Sequence, residues 1–395
     1  MKNFLQNNLQ LITVSAGHFT NDFYIALIPP ILFAFKNAMG LSLAQQSMIS
    51  FIIITFGSLF QPLVGLFLDK SGKSSLLMLS IIWISFMMSI SGLAGNYYIL
   101  LMIVALASIS SSIYHPLGSS ITVNLSKDSR GKSLSIFMTV GTFAATFAPM
   151  IAIPIVTKFG LKYIALLMIP GFIIAYFLKL SKIDKLKFRN VDKDKKDDKK
   201  RISKDKTKWL SILVIMSSII TIFKRMIIIF GIQLMVIKGI GIIPAGIILS
   251  VHLFMRALGT LSGGYMSDKF GEGRIIVFYN LLLFAIYTAM IFSKGIWMAG
   301  FMILLGYILN GTNTANVTIS HHILPNDINF GTGTIMGLPG TIGSVLLLAF
   351  GKLADIYGLL EVAQLTALVG LLPIFISLYI YFGFEKKIKK TVFAH

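Results

Sequence analysis

Apolar stretches long enough to cross a ~30 Å hydrocarbon core recur along nearly the whole chain. Twelve are expected, at 9–36, 45–68, 75–94, 97–126, 133–157, 161–180, 209–237, 241–267, 273–292, 295–322, 331–354 and 360–384. In lipid the backbone must satisfy its polar groups internally, so each stretch is expected to be an α-helix. Of the 395 residues, 55% are hydrophobic and only 13% charged, too little polar surface to cover a soluble core of that size. The expected class is therefore all-α integral membrane. The opening "MKNFLQNNLQLITVSAGHFTND" has a thin basic region and carries His, Asn and Asp, so it reads as the first membrane helix and not as a cleaved signal. An even number of spans places both termini on one side.

A net charge of +20 would suggest nucleic acid in a soluble protein. Its placement points elsewhere. Of the 35 Lys and Arg, 26 fall on one alternating set of connections, six on the other, and Lys224, Arg225 and Arg256 inside spans. The basic set marks the cytoplasm, so both termini are expected inside, at the plasma membrane. Fourteen of these residues lie between Lys179 and Lys208. There "KLKFRNVDKDKKDDKKRISKDKTK" forms a charged, solvated linker, 181–208, between an N-terminal bundle, 1–180, and a C-terminal bundle, 209–395. Contact with anionic lipid headgroups is a second possible role for it. Cysteine is absent, which excludes disulfides and thiolate metal sites. No Gly-x4-Gly-Lys-Ser/Thr loop occurs, which argues against ATP-driven transport within the chain.

The halves repeat. Gly65, Asp69, Lys70 and Gly72 form Gly-x3-Asp-Lys-x-Gly, and so do Gly264, Asp268, Lys269 and Gly271, an offset of 199 residues. The same offset pairs Gly40 with Gly239 and Gly141 with Gly340. Six spans duplicated in parallel orientation argue for two six-helix bundles with a site between them. Glycine in this loop permits close helix approach, the aspartate can pair at a neighbouring helix end, and the basic residues hold the loop in the cytoplasm.

On these residues the chain resembles the major facilitator superfamily. "GHFTNDFY", "SLFQPLVGLFLDK", "YHPLGSS", "VHLF" and "ILPNDINFGTGTIMGLPGTIG" follow in an order similar to its fosmidomycin-resistance-type branch. Two departures stand out: Leu117 where the branch often has an acid, and Arg256 where an apolar residue is expected. The resemblance implies a monomeric transporter driving efflux of small compounds, antibiotics included, with protons. The loop glycines, aspartates and lysines just named would gate its conformations.

Ionisable side chains inside a bilayer are costly and usually face a cavity or one another. Span one carries His18 and Asp22, span four His115, span seven Lys224 and Arg225, and span eight His252 and Arg256. Span ten has no charge but carries Asn310, Asn313, Thr314 and Asn316, and spans three, six, nine and twelve have no ionisable residue in their interiors. This rhythm suggests that spans one, four, seven and ten line a polar cavity. At 1.5 Å per residue His18 and His115 lie roughly 15–16 Å deep, and Asp22 and Arg256 roughly 20 Å.

His18 and Asp22 share a helix face at i and i+4. A carboxylate out of water resists ionisation and a nearby cation favours it, so such a pair can take up and release a proton. Asp22, His18 and His115 are the proton-coupling candidates. The alternative is that Asp22 only pairs with His18, Lys224 or Arg225. Tyr114, Lys224, Arg225, His252, Arg256 and Asn313 are the candidate substrate contacts. Three permanent cations against one intramembrane acid favour an anion such as a phosphonate, carboxylate or sulfonate. Gly141, Ala145 and Pro149 at four-residue spacing read as close packing, in a worn likeness of an antiporter signature. His321–His322 reads as a helix end, so no metal site is expected, no cofactor, and no enzyme activity. The expected function is proton antiport of a small organic anion, with the small molecule, protons and membrane lipids as partners and no nucleic acid. An uptake symporter and a non-transporting sensor are the rivals.

Overall fold

The computed structural model describes residues 2–59, 74–125, 130–186, 203–324 and 328–385. Ten helices among them are long and apolar enough to cross a membrane, and they overlap the last ten expected spans. The first expected span is built in pieces. Helix α1 (Lys2–Leu27) stops ahead of Pro29 and Pro30, which lack amide hydrogens and crowd the preceding turn. A 3-10 turn, Pro29–Ile31, carries the chain into α2 (Leu32–Met39). Gly40 then ends α2 in the left-handed region at φ 67°, its amide donating to the Lys36 carbonyl at 2.8 Å. Its repeat partner Gly239 has φ 87°, so the duplication is visible in the backbone. The second expected span is α3 (Leu43–Leu59), a shorter apolar helix.

Two compact units follow. One comprises Met1–Leu41 and Met48–Asp198, the other Ser42–Ser47 and Lys199–His395. In the first, α1 packs against α4 (Ser75–Ile90), α5 (Tyr97–Leu125), α6 (Arg130–Phe159) and α7 (Met168–Leu180). Val14, Leu77, Ile81, Tyr114, Phe137 and Leu178 meet in its core. Pro116 lies inside α5, and Pro149 and Pro154 inside α6, without ending either helix.

In the second unit α8 (Lys204–Ile237) is the hub. Around it pack α9 (Ile242–Phe270), α11 (Gly295–Gly311), α12 (Asn313–Ile323), α13 (Ile328–Tyr357), α14 (Leu359–Val369) and α15 (Leu371–Ile380). Helix α10 (Glu272–Phe292) lies against α11 and α15. Where α9 crosses α11, small residues bring the backbones together. A β-carbon on Gly259 would meet the Tyr307 carbonyl, and one on Gly306 the His252 carbonyl. Span ten is interrupted at Thr312, between α11 and α12.

Candidate functional site

The first unit brings His18, Asp22 and His115 together. His18 is 2% exposed and Asp22 24%, so one edge of the cluster is open. The His18 ring stacks on Phe137 at 4.0 Å and lies near-parallel to Tyr114 at 6.2 Å. A β-carbon on Gly141 would fall onto the imidazole, so glycine at this position makes room for the ring. Tyr114 is held in turn by donating to the Val14 carbonyl at 2.7 Å.

These contacts assign the protons. The Phe137 carbonyl can only accept, so His18 Nδ1, 2.7 Å away, carries a hydrogen. In a neutral ring that leaves Nε2 as an acceptor, facing His115 Nδ1 at 3.1 Å. His115 Nδ1 therefore donates, and its Nε2 points at Asp22 Oδ1, 3.4 Å away. A lone pair facing a carboxylate is repulsive, and each Asp22 oxygen faces an imidazole nitrogen, so the ring of three closes only with one more proton among its members. Asp22 Oδ2 also lies 3.4 Å from His18 Nε2. Asn21, fully buried, donates to Asp22 Oδ1 at 2.9 Å and to Ser111 Oγ at 3.3 Å, fixing the carboxylate. The three side chains bring one ligand atom each within 4.8 Å of one another, close enough to share a small cation.

The second unit carries the opposite charge. Lys224 on α8 donates to Asn313 Oδ1 at 2.8 Å, and Arg256 on α9 donates through Nε to Asn310 Oδ1 at 3.4 Å. The two asparagines flank the break at Thr312, so cations from two helices are anchored at the interruption of span ten. Arg225 Nε is buried without a hydrogen-bond partner. Among the described residues no carboxylate lies within 4.0 Å of Lys224, Arg225 or Arg256. Neutral amide oxygens hold the cations where carboxylates would have cancelled their charge.

Two expected substrate contacts are enclosed in this structure. Tyr114 and His252 are both fully buried. Tyr114 walls the His18 pocket, and His252 donates to the Met302 carbonyl at 2.7 Å while its Nε2 has no partner. Of the gating residues, Gly65, Asp69, Lys70 and Gly72 lie outside the described residues. Gly264 packs beside Thr314, and Asp268 and Lys269 close α9. Gly271 has φ 90°, with its amide on the Ser267 carbonyl at 2.8 Å. Asn21 and the Phe137 carbonyl escape sequence reasoning. Asn21 is visible only as the neighbour of Asp22, and a backbone carbonyl has no sequence signal. Asn310 is visible as one of several polar residues in span ten.

The Major Facilitator Superfamily profile matches residues 14–329. The fosmidomycin resistance protein of Escherichia coli (strain K12) is 26% identical over 376 residues, covering 92% of this chain and 91% of that protein. The MFS-type transporter YfnC of Bacillus subtilis (strain 168) is 25% identical over 362 residues, covering 88% and 87%. Among solved structures, a bacterial homologue of the human lysosomal transporter Spinster, inward-facing and occupied, superposes with a TM-score of 0.79 at 16% identity, over 95% of this chain and 97% of that one. With all-helical architecture, a duplicated half and a match across most of its length, the chain belongs to the major facilitator superfamily and is a transporter.

Proposed function

We propose that the protein exports a small organic anion by proton antiport, exposing its binding groups alternately to the two sides of the membrane. The carrying observation is the ring of His18, His115 and Asp22, which holds a place for one proton. Loading that place joins the three side chains, and emptying it sets a lone pair against a carboxylate. Tyr114, Gly141 and Asn21 position the ring. In the second unit Lys224, Arg225 and Arg256 bind the anion, with Asn310 and Asn313 orienting the first and last of them. His252 positions the backbone of α9 against α11. The glycine–aspartate–lysine loops gate the cycle, and the basic connections support cytoplasmic termini at the plasma membrane. The printed name of the E. coli relative, a resistance protein, supports export.

The test is flux in proteoliposomes under an imposed pH gradient, against phosphonates, carboxylates and cationic drugs. An acidic exterior is expected to drive a preloaded anion out. Asp22→Asn is expected to remove the dependence on the gradient. Proton-driven accumulation of the anion would mark a symporter instead, and preference for cations would overturn the assignment of the second unit.

A further inference from the structure

An apolar groove of about 620 Å³ lies between α4, α5 and α7 of the first unit. On α4 its wall runs from Leu76 to Phe86, which at 1.5 Å per residue is about 15 Å. That is the depth of one leaflet, half of a ~30 Å core. Its mouth is open sideways: Leu79, Trp83 and Phe172 are 49%, 42% and 39% exposed. Its polar groups are already committed. Ser80 Oγ donates to the Leu77 carbonyl at 2.7 Å, Ser110 Oγ to that of Ala107 at 2.8 Å, and the Trp83 indole to that of Leu106 at 2.8 Å. The wall therefore offers nothing to a polar solute and rewards only apolar surface.

The end of the groove nearest Ser75 is different. Leu76 packs on the core that includes Leu178 and Ile183, and Ser74 Oγ donates to the Leu186 carbonyl at 2.5 Å. These contacts seat the 3-10 turn Ile183–Lys185 against α4. Lys179, Lys182 and Lys185 are exposed there. Lys182 has φ 59°, the only left-handed residue other than glycine among those described, a conformation a β-carbon disfavours. Against these three exposed lysines the turn sets one acid, Asp184, which is half-buried with its Oδ1 enclosed, so the balance of charge there is positive.

We propose that the groove and the lysine turn form a binding site for an anionic glycerophospholipid, with one acyl chain along Trp83 and the phosphate at Lys179, Lys182 and Lys185. The groove matches the chain in depth and chemistry, and the lysines match the headgroup in charge and position. The site is separate from the transport reading and stands or falls without it.

Trp83 reports on it. The full-length protein is placed in phosphatidylcholine nanodiscs doped with phosphatidylglycerol brominated in its acyl chains, or with equally brominated phosphatidylcholine at the same mole fraction. Subtracting Trp83→Phe isolates this indole from Trp209 and Trp297. Brominated phosphatidylglycerol is expected to associate at least about fivefold more tightly, as one effective lysine contact would give. In K179Q/K182Q/K185Q that ratio is expected to fall to about one while both lipids still quench Trp83. Equal quenching by the two lipids in the wild type would overturn the headgroup assignment without any variant. An unquenched Trp83 would overturn the groove, and a preference surviving in the triple variant would overturn the lysines.

Discussion

Gly141→Ala tests the proton ring with the smallest possible change. The added β-carbon would stand 2.4 Å from Cε1 and 2.6 Å from both nitrogens of the His18 ring, where ordinary contact begins at 3.4 Å. The imidazole must withdraw by the difference, about 1.0 Å. The β-carbon would come down on the ring, and Phe137, stacked at 4.0 Å, limits its retreat, so the withdrawal is taken up by its hydrogen bonds. Lengthened by that amount, the 2.7 Å bond to Phe137 and the 3.1 Å bond to His115 reach or pass the hydrogen-bonding limit. Leaving a buried partner unsatisfied costs about 1–3 kcal/mol. Proton-driven flux in proteoliposomes is therefore expected to fall about tenfold or more, since 1.4 kcal/mol is a factor of ten. Anion exchange at equal pH on both sides is expected to stay within about twofold, because the cations of the second unit share no partner with the ring. Nitrogen-15 spectra of labelled histidine add a readout that needs no substrate: the protonated Nδ1 assigned to His18 is expected in the wild type and lost in the variant. Full proton-driven flux with an unchanged histidine spectrum would refute the geometry.

Other substitutions separate charge from packing. Asn313→Asp places a carboxylate where Lys224 now donates to an amide at 2.8 Å, so anion affinity is expected to drop about tenfold or more, read by competition in flux. Gly306→Ala drives a β-carbon into the His252 carbonyl, and a loss of about 1–3 kcal/mol is expected as a lower melting temperature in detergent. Tyr287→Phe removes the donor to the Ala363 carbonyl, held at 2.8 Å in a fully buried site, so stability is expected to fall by about 1 kcal/mol with transport unchanged.

Much of the architecture was legible because the bilayer reduces folding to a question of length and polarity. The spans from Ser75 to Gly383 coincide with apolar stretches, and the breaks at Pro29–Pro30 and Gly40 follow from residues that cannot continue a helix. The candidate residues were legible as costly exceptions in lipid. Their partners were not. Asp22 shares a helix face with His18, but its second histidine comes from 93 positions away on α5. Asn313, a candidate substrate contact, holds Lys224, a pairing that needs α8 and α12 side by side. Tyr114 and His252 were legible as polar residues in a span, and their enclosure in this structure comes from packing that sequence order does not show.

By itself, then, the sequence determined that the chain lives in a membrane, that it is a duplication, and that its one deep acid and its deep cations sit on different halves. These follow from composition, periodicity and an offset, which are properties of residues taken in order. Only the tertiary structure decided that one nitrogen of His18 is claimed by a carbonyl of α6 and the other is turned to His115 and Asp22. Only packing left room for that ring at Gly141 and anchored Lys224 and Arg256 on the two sides of a broken helix. Which proton sits on which nitrogen depends on neighbours a few ångströms away, and those neighbours are up to 119 residues distant along the chain.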